Sequence, residues 1–60
     1  MNKRLRDARE KQGKTQQQVA EFAHISLKSY QRIEKGVQDP AVTVAILIAK
    51  ALKSTVEKLF

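Results

Sequence analysis

Residues 15–36 read TQQQVAEFAHISLKSYQRIEKG. Thr15 and Gln18 stand three apart, the spacing of a capping box, in which each side chain satisfies the other residue's backbone amide. Val19, Ala20, Phe22 and Ala23 give the helix that follows an apolar side, and the segment His24-Ile25-Ser26 interrupts it. Ser26 is a suitable cap for a second helix over about Leu27 to Lys35, which Gly36 stops. Two short helices joined by a tight turn have the layout of a helix-turn-helix over residues 16–35. Ala20 supplies the small residue that a close crossing needs. His24 falls where the turn calls for left-handed backbone, which histidine visits more readily than most residues. Ile25, Tyr30 and Ile33 then have the spacing to pack back onto Val19 and Ala20.

The rest of the chain reads as helix as well. Asn2 caps a first helix from about Lys3 to Gln12, with Leu5 and Ala8 inward and Gly13 as the stop. Asp39-Pro40 reads as a cap followed by a first-turn proline. Ten of the twelve residues from Ala41 to Leu52 are apolar. Val42, Val44, Ile46 and Ile48 alternate, so a strand is an alternative on propensity. The length of the run, its four alanines and the lack of a pairing strand favour a helix. Val42, Ala45, Ile46, Ala49 and Leu52 are expected inward. Ser54-x-x-Glu57 forms a further capping box, opening a last helix near Ser54 or Thr55. The expectation is an all-α, compact five-helix bundle forming a single domain over residues 1–60. Residues 41–60 supply core and self-association.

Composition excludes several classes of function. Sixty residues without cysteine have no disulfide, thiol nucleophile or zinc-thiolate site. One histidine leaves no triad and no histidine metal cluster, and the few acidic residues are ordinarily placed, so an enzyme, a metal and a cofactor are not expected. No apolar run reaches the length of a membrane span. The net charge is +6. Residues 1–35 hold nine Lys/Arg against four Asp/Glu, and residues 36–60 hold three against two. A small chain this basic has a polyanion as its default partner.

Lys28, Gln31, Arg32 and Lys35 fall at i, i+3, i+4 and i+7, one stripe of the second helix of the pair. Such a set suits the DNA major groove, where arginine meets guanine bidentately and glutamine meets adenine. Leu27 is placed to meet a thymine methyl. Leu27, Lys28, Gln31 and Arg32 are therefore the candidate base readers. Gln16 opens its helix, where amides and dipole favour a phosphate. Gln17, Lys14, Lys35 and the Tyr30 hydroxyl are further candidates for phosphate contact. A helix apolar on all sides cannot be wholly enclosed by so short a chain. Val44, Leu47, Ile48 and Ala51, with Val56 and Phe60, are expected to form a dimer surface. A two-fold pair of recognition helices one turn of DNA apart doubles the readout.

Residues 5–60 resemble the helix-turn-helix domain of the phage lambda repressor/Cro (XRE-type) family. The resemblance is carried by Leu5-x-x-x-Arg9, Gly13-x-Thr15-Gln16, Val19-Ala20, Ile25-Ser26, Ile33-Glu34-x-Gly36, Pro40, Leu52 and Leu59. It implies a five-helix domain that binds operator DNA, commonly as a dimer. Gln16 then contacts a phosphate, while Leu27, Lys28 and Arg32 read bases. It also implies an ion pair between Arg9 and Glu34. The chain departs from the family pattern at His24, which replaces a turn glycine, at Lys14, and at Lys53-Ser54. Together these readings imply a sequence-specific DNA-binding transcriptional regulator, a repressor on a two-fold symmetric operator, cytoplasmic and nucleoid-associated in a bacterial or phage setting. The alternatives are the antitoxin of a toxin–antitoxin pair, or a protein-interaction module with only non-specific DNA affinity. Double-stranded DNA and a second copy of the chain are the expected partners, with a protein partner as a further possibility and neither a membrane nor a small-molecule substrate.

Overall fold

A computed structural model describes all of residues 1–60 and contains five α-helices and no strand. They are α1 (Lys3–Lys11), α2 (Gln16–Phe22), α3 (Leu27–Lys35), α4 (Val42–Ala51) and α5 (Val56–Leu59). The molecule measures 21 × 20 × 20 Å. None of these helices is long and apolar enough to cross a membrane.

Capping chemistry sets most of the boundaries. The Asn2 Oδ1 atom accepts from the Leu5 amide at 3.0 Å and opens α1. The Thr15–Gln18 box is complete, with the Gln18 amide donating to Thr15 Oγ1 at 3.1 Å and the Thr15 amide to Gln18 Oε1 at 2.8 Å. Ser26 accepts from the Ser29 amide and opens α3. Gly36, at φ 80°, ends α3, and the Val37 amide returns to the Arg32 carbonyl, which satisfies an otherwise orphaned group. Two non-glycine residues hold left-handed backbone: His24 (φ 59°), in the turn between α2 and α3, and Lys53 (φ 53°), after α4.

Two boundaries differ from expectation. Helix α4 begins at Val42 after Ala41, which offers no side-chain cap, so Asp39 and Pro40 belong to the preceding loop. The last helix is capped by Thr55, whose hydroxyl accepts from the Lys58 amide at 3.3 Å, rather than by Ser54. The left-handed residue Lys53 turns the chain first, and Thr55 is the residue that then has extended backbone for capping.

The core is built from Leu5, Val19, Ala20, Ala23, Tyr30, Ile33, Ile48, Ala49, Leu52 and Leu59. Helix α4 contributes Ala45, Ile48 and Ala49, and its C-cap residue Leu52 continues the stripe at i, i+3, i+4 and i+7. Ile48 is therefore core and fully buried, which corrects its assignment to the dimer surface. Val42 and Ile46, expected inward, are 76% and 42% exposed. The physical reason lies in α4 itself. A helix that is apolar all round carries no preferred inward side, so its neighbours choose its rotation. Helix α2 packs against α4. The chosen stripe turns two alanines and Ile48 inward and leaves Val42 and Ile46 outside.

Asn2 also closes the molecule on itself. Its amide donates to the Glu34 carbonyl at 2.8 Å, and its Nδ2 donates to the Leu59 carbonyl at 2.8 Å. One residue thus ties the start of α1 to the ends of α3 and α5.

Candidate nucleic-acid interface

Helices α2 and α3 pack against each other with Ala20 fully buried, and this packing fixes which side of α3 faces outward. Val19, Ala20, Tyr30 and Ile33 are buried together. Lys28, Arg32 and Lys35 lie on the opposite side and are exposed, with Gln31 half-buried beside them and Leu27 exposed at the helix start. The carboxylates nearest this stripe in sequence are Glu34, which is buried, and Asp39, in the loop after α3. The stripe therefore presents three cations to solvent. The N-terminus of α2 opens beside it, with Gln16 half-buried and Lys14 and Gln17 exposed. A face of this kind offers charge for phosphates and planar hydrogen-bonding groups for base edges.

A polar network holds the two helices and α1 in place. Arg9 Nε donates to Glu34 Oε2 at 2.9 Å and Arg9 Nη2 to Oε1 at 3.0 Å, a bidentate pair. The side chains are only 13% and 5% exposed. Arg9 Nη1 donates to the Lys14 carbonyl at 3.0 Å, which ties the pair to the chain entering α2. Gln16 Nε2 donates to Glu34 Oε1 at 3.4 Å, and Gln31 Nε2 donates to Gln16 Oε1 at 3.2 Å. Burial by itself would raise the Glu34 pKa. The Arg9 hydrogen bonds, the nearby Tyr30 hydroxyl, the Arg9 charge and the Gln16 donor together outweigh it and hold the carboxyl below its ordinary value. The hydrogen bond to Glu34 raises the Arg9 pKa in turn.

Tyr30 corrects a further expectation. It is fully buried, and its hydroxyl lies beside the Arg9–Glu34 pair with no hydrogen-bond partner. It cannot meet a phosphate from there. The ring fills core at the crossing of α2 and α3, and this takes the hydroxyl inside. Burial first, and the Glu34 carboxylate beside it, push the phenol well above its ordinary pKa.

Two features were not visible from residue spacing. One is the Gln16–Gln31 hydrogen bond, which spans two helices and leaves no periodic signal. The other is Arg6, whose Nε makes no hydrogen bond, its ion pair being a long 3.9 Å contact with Asp7, and which lines a groove with Arg9, Gln16, Gln31 and Lys35. On the far side, Ile33, Pro40, Val42, Ala45, Val56 and Phe60 line an apolar groove between α3, α4 and α5. The surface holds no group of three or more His, Asp or Glu side chains placed for a metal ion.

Comparison with known proteins agrees with this geometry. The helix-turn-helix family matches residues 5–59. The chain is 36% identical over 56 residues to the competence pilus inhibition repressor of Acinetobacter baylyi, covering 93% of this chain and 51% of that protein. It thus spans about half the length of the curated relative it matches. No solved structure matches the chain significantly. The family is one of DNA-binding regulators rather than enzymes. With the family match running from α1 to α5 across the whole bundle, the chain belongs to the helix-turn-helix family of lambda repressor/Cro (XRE) type.

Proposed function

We propose that this chain is a sequence-specific DNA-binding transcriptional regulator that represses by occupying a promoter. The observation that carries the reading is the exposed Lys28–Arg32–Lys35 stripe on α3, set beside the N-terminus of α2. Leu27, Lys28 and Arg32 read base edges in the major groove. Lys14, Gln16, Gln17 and Lys35 meet phosphates and fix the register. The repressor name of the Acinetobacter baylyi relative supports the direction of regulation.

The operator is two-fold symmetric in this reading, because the chain pairs through its C-terminal helices. Exposed Val42, Ile46 and Phe60, with half-buried Val56, supply the apolar surface. Val44, Leu47 and Ala51 pack partly against the core and contribute their outer edges. An apolar patch left uncovered on so small a protein is what a self-association surface looks like.

The test is a salt titration of duplex binding followed by fluorescence anisotropy. Lys14 and Lys35 neutralise two phosphates per protomer, four in the proposed dimer, which gives a slope of log K against log salt of about −3 to −4. A slope near zero would remove DNA as the partner.

A further inference from the structure

The hydrogen-bonded relay that ends on Gln31 runs in one direction only. Glu34 is a carboxylate, held ionised by Arg9, and accepts only. Gln16 must therefore turn its NH2 group toward Glu34 Oε1, 3.4 Å away. That leaves Gln16 Oε1 as the acceptor for Gln31 Nε2 at 3.2 Å. The two carboxamide orientations, ordinarily interchangeable, are here fixed by a buried charge. Gln16 keeps one free N–H at the opening of α2. Gln31 spends an N–H on Gln16 and sits half-buried, below the exposed level of Lys28 and Arg32.

We propose that Gln31 is a positioning residue for Gln16, not a reader of base edges. It locks the Gln16 carboxamide so that the free N–H is aimed at a DNA phosphate oxygen before DNA arrives. The gain comes from side-chain freedom already lost in the unbound protein. This inference rests on the DNA-binding function proposed above and replaces the expectation from helical spacing that Gln31 reads bases.

The experiment has one arm without DNA and one with it. In the first, the side-chain NH2 signals of Gln16 are followed by nitrogen-15 relaxation in the wild type and in Gln31→Met. The wild-type carboxamide is expected to be rigid. In Gln31→Met it becomes mobile while the backbone amides of α2 and α3 stay rigid, so loss of the fold is not the cause. In the second arm, Kd is measured for wild type, Gln31→Met, Gln16→Ala and the double variant, on a selected duplex and on a scrambled one. Gln31→Met is expected to weaken both duplexes by about fivefold, roughly what one neutral hydrogen bond is worth. The double variant is expected to bind no worse than Gln16→Ala, because the two residues act as one unit.

The proposal is overturned if Gln16 is equally mobile in wild type and variant. It is also overturned if Gln31→Met relaxes discrimination at a single base pair, or if its loss simply adds to that of Gln16→Ala. Wild-type protein that binds neither duplex would overturn the function proposed above and the phosphate role with it, whereas the relaxation arm judges the relay on its own.

Discussion

Replacing Arg9 with methionine leaves the Glu34 carboxylate inside the protein without its cation. Methionine fills much of the arginine stem's volume, so the change is mainly electrostatic. Stranding one partner of a buried pair costs about 3–5 kcal/mol. Here the cost falls at the lower end, near 3 kcal/mol, because Gln16 still donates to Glu34 Oε1. A chain of this length has total stability of about 3–9 kcal/mol. The variant therefore loses a third or more of its stability, and its Tm falls by about 12–24 °C.

The sign of the pH dependence separates this account from simple loss of packing. In the wild type the Glu34 carboxyl is held below its ordinary value. A depressed folded-state pKa gives stability that is present above the unfolded pKa, near 4.5, and lost as pH falls through the folded one. In Arg9→Met the largest remaining influence on Glu34 is burial, which raises its pKa. The group then stabilises the fold below the unfolded value and withdraws that support as pH rises. Urea unfolding followed by circular dichroism at pH 4 and pH 7 measures both. Glu34 is expected to make the wild type more stable at pH 7, and Arg9→Met more stable at pH 4. Adding Glu34→Met to the variant is expected to restore more than half of the loss and remove the reversed dependence. A loss under about 1 kcal/mol would refute the reasoning, as would a variant with the wild-type sign of pH dependence.

Other consequences are simpler to state. Tyr30→Phe removes a buried hydroxyl that has no partner and is expected to leave stability unchanged or raise it by up to about 1 kcal/mol in urea unfolding. Tyr30 is the only tyrosine, and its phenol is raised by burial. Its stabilising effect is complete below the unfolded pKa and lost as pH rises, so phenolate absorbance is expected to appear only together with loss of helical dichroism. His24→Gly and Lys53→Gly each relieve left-handed strain and are expected to gain about 0.5–1 kcal/mol, additively, in thermal unfolding. If the proposed pairing holds, the wild type is expected to show a concentration-dependent mass in sedimentation, and Val42→Lys with Ile46→Lys is expected to abolish it with helicity intact. Arg32→Ala is expected to cost about 1–3 kcal/mol at one base pair and relax discrimination there, whereas Lys35→Ala weakens all duplexes alike.

Much of the fold was legible because it rests on local chemistry. Asn2, the Thr15–Gln18 box, Ser26 and Gly36 mark helix ends within three or four residues of themselves, and the structure uses all of them. The rotation of α4 was not legible, because an almost uniformly apolar run has no preferred side until α2 is packed against it. Ser54 and Thr55 both have capping chemistry, and the left-handed turn at Lys53 chooses between them. The exposed cations of α3 follow directly from helical period. The depth of Tyr30 and the Gln31–Gln16 bond do not, since both depend on how close α3 lies to α1 and α2. The reach of Asn2 to the Leu59 carbonyl joins residues 57 apart, and nothing local announces it.

The account rests most heavily on sequence-specific recognition through α3. The most direct test is selection of bound sequences from a random duplex pool at about physiological salt. The account predicts one enriched two-fold site with half-sites about 34 Å apart centre to centre. Its preferred bases should change when Arg32 is replaced by alanine and persist when Lys35 is replaced. A pool that binds through charge but returns no enriched sequence would contradict it.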